Sequence, residues 1–127
     1  MKIDTKPLSI GKNSIDVDAS WSQVDQADAV MIAMYTVSAN PDDMVKSLQA
    51  EREAMKKAMS FLKNLLGLTA KQSDSVFKHV DANTLNLYIS YVCGLIKGSP
   101  EESFEKFKKE VEGQKNPKEQ SAKSDEQ

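Results

Sequence analysis

Apolar positions recur at three- and four-residue spacing over much of the chain, and the longest such run lies between Asn40 and Gly67. Leu48, Met55, Met59, Leu62 and Leu66 make one stripe, which Arg52 interrupts where charge must meet water or a carboxylate. The segment NPDDMVKSLQAEREAMKKAMSFLKNLLG carries its own start and stop. Asn40 suits the N-cap and Pro41 the first helical position. Asp42 and Asp43 suit the positive end of the helix dipole, and Gly67 a left-handed C-terminus. Neither glycine nor proline interrupts the interior, so the pattern predicts a helix roughly 40 Å long on which other elements dock.

Other segments read around that helix. Leu8 and Ile10 alternate with polar neighbours, Gly11-Lys12-Asn13 supplies a turn, and Ile15 and Val17 alternate again, so residues 6–18 are expected to form a hairpin. Pro7 marks its first strand as an edge; an exposed edge is a place to recruit a partner strand, but the favoured reading is a small cover on the bundle. Ser20 and Gln23 form a capping-box pair before a helix with Val24, Ala27, Met31, Met34 and Tyr35 on one face. Trp21 is expected to anchor this junction to the core. The run AVMIAMYTVSA also reads as a strand, but its period from Trp21 onward is nearer 3.6 than 2.

Thr69 caps a short helix presenting Ser73, Val76, Phe77 and Val80. Asp81 caps another, with Leu85, Tyr88, Ile89, Val92, Leu95 and Ile96 on its stripe and Gly98 at its end. Ser99-Pro100-Glu101-Glu102 signals a last helix, with Phe104, Phe107 and Val111 on its stripe and Gly113 as its stop. The expected fold is mainly α: an N-terminal β-hairpin packed on a bundle of about five helices around one long helix. Residues 1–112 form one helical domain and residues 113–127 a disordered polar tail, which has no apolar side chain larger than Ala122.

Composition narrows the function. A chain of 127 residues suits one domain with one core. A net charge of −2 argues against a general nucleic-acid surface, and the segment from Thr69 to Lys97 carries only Lys71, Lys78, His79 and Lys97 as basic groups. The single cysteine, Cys93, fits a reducing compartment, and no apolar run is long enough to span a membrane. A cytoplasmic protein is expected.

Candidate chemistry is sparse. Asp16-Val17-Asp18-Ala19-Ser20 begins like a calcium loop, but Trp21 and Ala27 stand where that loop needs Gly and Glu. His79 is the lone histidine, so a zinc site of the usual kind cannot be built within one chain. Cys93 lies among apolar neighbours and reads as a small core side chain. No catalytic, metal or cofactor residues are assigned, and an enzyme is not expected. Binding is the better reading. Met31, Met34, Met44, Met55 and Met59 concentrate in the first two long helices; methionine adapts to varied partners, although on a helical apolar stripe it more often fills core gaps. Tyr35, Phe61 and Tyr91 complete the set of candidate partner-binding residues. Phe61, Tyr91 and Leu87 fall off their main stripes, where they either widen the core or mark a second contact surface.

The order of these elements resembles the tail assembly chaperones of long-tailed bacteriophages, especially small ones from phages and prophages of Gram-positive bacteria. The resemblance spans roughly residues 6–98. It is carried by IDVDAS at Ile15–Ser20, the NPDDM helix start, FLKNLLG at Phe61–Gly67, and LNLYISYVCGLIKG at Leu85–Gly98. Where many relatives have Phe-Gly-Glu-Gly, this chain has Leu66-Gly67-Leu68-Thr69. The resemblance implies a non-enzymatic protein that binds the tape measure protein and recruits the major tail tube protein before the tube polymerises. It also implies that a longer frameshifted form is often made. A homo-oligomer fits this reading. A small helical adaptor or dimeric regulator is the alternative.

Overall fold

In the computed structural model, which describes residues 1–38 and 43–113, five α-helices follow a short antiparallel hairpin. Strand β1 (Lys2–Asp4) pairs with β2 (Ser14–Asp16), Ile3 opposite Ile15. The helices are α1 (Trp21–Ser38), α2 (Met44–Leu66), α3 (Ala70–His79), α4 (Ala82–Ile96) and α5 (residues 104–113). The mainly helical architecture with an N-terminal hairpin is the expected one. The expected polar tail lies, from residue 114 onward, outside the described residues.

Local caps set three of the helix starts where the sequence places them. The Ser20 N–H donates to Gln23 Oε1 at 3.0 Å, and the Gln23 N–H donates to Ser20 Oγ at 3.2 Å. Thr69 and Gln72 repeat that reciprocal pair at 2.9 and 3.0 Å, and Asp81 accepts from the Thr84 N–H at 3.2 Å. Gly67 ends α2 at φ 66°, and a Cβ built there meets nothing within 4 Å. Gly67→Ala is therefore expected to lose only the backbone preference, about 1 kcal/mol, read from a denaturant midpoint.

Three boundaries differ from the pattern. The first strand is Lys2–Asp4, not the stretch after Pro7. Pro7 instead lies in a 3-10 turn, Lys6–Leu8, closed by the left-handed Ser9 at φ 54°. The buried Thr5 fixes this loop: its N–H donates to the Asn13 carbonyl at 3.0 Å and its Oγ1 to the Lys12 carbonyl at 2.7 Å. The long helix begins at Met44, because Asp43 is extended and its carboxylate accepts from the Lys46 N–H at 3.0 Å. The proposed Asn40 cap and Pro41 start lie outside the described residues. At roughly 35 Å, α2 is still the longest element. The last helix starts after Ser103, whose Oγ accepts from the Lys106 N–H at 3.2 Å, rather than at Ser99-Pro100. The described part of this helix runs to Gly113, and its expected stop there lies at the limit of the described residues.

Tertiary bonds explain why residues 99–103 stay non-helical. Asp4 sits at their centre. Its Oδ2 accepts from the Phe104 N–H at 2.9 Å and its Oδ1 from the Lys6 N–H at 3.0 Å. The Tyr88 hydroxyl donates to the Asp4 carbonyl, and the Tyr91 hydroxyl to the Glu102 carbonyl, both at 2.6 Å. The Asp4 N–H in turn donates to Tyr91 Oη at 3.1 Å, and the Lys2 N–H to Glu101 Oε1 at 2.9 Å. The outer edge of β1 is therefore occupied by its own chain, in keeping with a cover on the bundle and not with an edge free to recruit a strand. Beneath it, Tyr88, Tyr91, Phe104 and Phe107 pack with ring centroids 5.5–6.3 Å apart where they touch.

One core joins hairpin and helices. Ile3, Ala27, Val30, Leu62, Ile89 and Val92 are among its most enclosed members. All six stripe positions expected on α4 are buried. Trp21, by contrast, is 82% exposed: the capping pair fixes α1's start, and Ala27 and Val30 make its deepest contacts instead. Phe77 is also exposed, leaving Val76 as the buried residue of α3.

Burial pushes the Tyr88 and Tyr91 hydroxyls above their ordinary pKa of 10.0. It also pushes the Cys93 thiol from 9.0 to about 11, helped by the charge of Asp28. In each case the fold favours the protonated, neutral form. That stabilisation is complete below the unfolded values and is lost as pH rises through the folded ones. The urea midpoint is expected to fall as pH rises above 9.0, and Tyr88→Phe should make the fall shallower.

Candidate partner-binding groove

Helices α1 and α2 pack along each other, but only part of their apolar surface is covered. Met59, Leu62 and Leu66, in the C-terminal half of α2, are buried. The same stripe runs out into solvent at its N-terminal half, where Met44 is 76% and Leu48 53% exposed. Arg52 is exposed, as its interruption of the stripe requires. Helix α1 contributes exposed Ile32 and Tyr35, so Tyr35 leaves the core face expected for it. A helix with apolar residues around its circumference normally has neighbours on more than one side, and here part of that surface is bare.

Beside this surface lies a groove of about 600 Å³ built from α1, α2, α4 and α5. Met34, Met55, Leu87 and Val111 supply its apolar lining, and Asn83, Asn86 and Ser90 line the α4 side. Glu51 and Glu112 are its charged lining residues. Both methionines, Leu87 and Val111 are half-buried, the state of side chains that form a wall and still face solvent.

The candidate binding residues thus separate into three groups. Met34 and Met55 come together in the groove. Tyr35 and Met44 are exposed, while Met31 is half-buried against the core. Met59, Phe61 and Tyr91 are buried members of the core. Leu87 lines the groove and also packs against the core. Val111, Glu51 and Glu112 were not read as site residues. The α5 stripe signalled Val111, but nothing local signals which helices converge on it.

The remaining candidate chemistry stays apart. Cys93 is buried, its thiol donating weakly towards the Ala27 carbonyl at 4.0 Å, while His79 is exposed at the end of α3. With its pKa raised and its sulfur enclosed, Cys93 is expected to resist a thiol reagent at pH 8 until the protein is unfolded, as an Ellman titration with and without urea reads directly. Among the described residues no three His, Cys, Asp or Glu side chains group to hold a metal, and no helix is long and apolar enough to cross a membrane.

Fold and groove define a small helical protein with apolar surface left exposed. Residues 1–112 match the model of the phage tail assembly chaperone proteins, and the chain belongs to that family. Its general role is therefore that of a non-catalytic chaperone of tail assembly. No curated protein and no solved structure matches the chain.

Proposed function

We propose that this protein binds the tape measure protein and recruits tail tube subunits during tail morphogenesis in the cytoplasm of the bacterial host. The observation that carries this reading is the bare apolar surface of the α1–α2 pair, with Met44, Leu48, Ile32 and Tyr35 exposed and the Met34–Met55 groove beside them. The family resemblance implies a tape measure client whose long hydrophobic helices must be kept soluble. A groove between helices, lined by adaptable methionines, covers such a helix through its i, i+3, i+4 and i+7 positions. The net charge of −2 and the surrounding polar surface keep the loaded complex from joining others.

Co-expression with the tape measure and tube proteins of the same phage tests this. The tape measure protein should move from the insoluble to the soluble fraction and co-purify with the tagged chain, and tube subunits should join that complex. An insoluble tape measure protein, absent from the purified chain, contradicts the proposal.

A further inference from the structure

We infer that the groove between α1, α2, α4 and α5 docks an amphipathic helix whose apolar stripe is flanked by lysine or arginine. This rests on the chaperone reading in taking a client protein as the occupant. The lining combines Met34, Met55, Leu87 and Val111 with two charged side chains, both acidic: Glu51 on α2 and Glu112 on α5. The groove has no lysine or arginine among its lining residues.

Neither groove carboxylate is neutralised by a cation among the described residues. Glu53 pairs with Lys56 at 3.7 Å and Asp74 with Lys78 at 3.1 Å, whereas Glu51 and Glu112 have no salt-bridge partner among the described residues. Two unpaired carboxylates, on separate helices of one apolar groove, favour a cationic flank and repel an anionic one. An apolar stripe alone would bind helices of any flank; the acidic lining selects among them. The groove's volume of about 600 Å³ takes several side chains of such a helix and leaves its outer face in water.

Two designed helical peptides test the assignment by fluorescence anisotropy at low salt. They share one Leu/Met stripe, and one has lysine and the other glutamate on both flanks. The full chain should bind the lysine-flanked peptide at least about fivefold more tightly, since each exposed pair is modest but attraction is exchanged for repulsion. Glu51→Lys with Glu112→Lys should reverse the preference. Glu53→Lys with Asp74→Lys changes net charge equally at carboxylates outside the groove and should retain it. Absence of binding by either peptide, equal affinity for both, or an equal response of the two double variants overturns the inference. Self-association of the chain that Glu51→Lys with Glu112→Lys abolishes also overturns it, because the occupant is then a second copy.

The outcome is separable from the chaperone assay. Capture of the tape measure protein without peptide preference leaves the proposed function standing and removes this groove assignment. Peptide preference with reversal, but without capture, leaves the groove chemistry standing and removes the named client.

Discussion

Phe104→Ala is expected to lower stability by about 3–5 kcal/mol, the range for emptying a buried aromatic site. Phe104 is 2% exposed, and its ring lies 5.6 Å from Tyr88, 5.7 Å from Tyr91 and 6.3 Å from Phe107 between centroids. Its backbone N–H is held by Asp4, so the same residue joins α5 to both β1 and α4. Alanine keeps that N–H but leaves a void between two tyrosines whose hydroxyls are already committed to the Asp4 and Glu102 carbonyls. The structure cannot collapse there without breaking those bonds. The loss should extend beyond stability, because α5 carries Val111 and Glu112 into the groove. Urea unfolding should show a lower midpoint at an unchanged slope, and the Met34 and Met55 methyl resonances should shift. A loss below about 1 kcal/mol, the ordinary effect of an average substitution, contradicts the role of this aromatic cluster in anchoring α5.

Leu87→Glu carries the largest expected effect on binding. Leu87 is half-buried on the α4 side of the groove, so a carboxylate placed there reaches water and the helix survives. It also adds a third negative charge to a lining that already holds Glu51 and Glu112, and it removes one of the main apolar contacts. Capture of the tape measure protein should fall at least about tenfold, equivalent to about 1.4 kcal/mol, with little change in Tm. Phe77→Glu serves as the comparison: Phe77 is exposed on α3, outside the groove, and its replacement should leave capture unchanged. Equal losses from both variants point to general surface hydrophobicity in place of a defined site.

These two expectations depend on features that differ in how far the chain reveals them. Helix α4 is legible residue by residue. Asp81 caps it, and Leu85, Tyr88, Ile89, Val92, Leu95 and Ile96 recur at the spacing that turns one face inwards. Thr69 with Gln72, Ser20 with Gln23, and Gly67 likewise act through neighbours within a few residues. Local chemistry determines these features, so local pattern finds them.

The missed features are set by distant partners. Lys2–Asp4 contains one apolar residue, Ile3, and becomes a strand because its backbone meets residues 14–16. Ser99-Pro100 has the composition of a helix start, but Tyr91 and Asp4 hold the following residues and shift the cap to Ser103. Phe61 and Tyr91 lie off the main stripes because their helices are enclosed on more than one side. Trp21 shows the opposite case: a large aromatic at a helix start packs only if an element lies over it, and the described residues provide none. The groove gathers Met34, Met55, Leu87 and Val111 from four helices, so its individual members were partly visible but their assembly was not.

Hydrogen exchange on the purified complex with the tape measure protein tests the account most directly. Client binding should slow exchange in three separate stretches, residues 34–37, 51–58 and 83–90, which become one surface only in this fold. Exchange at the exposed α3 helix, Ala70–His79, should be unaltered. A stable complex that leaves those three stretches unprotected and protects α3 instead contradicts the claim that this groove holds the client.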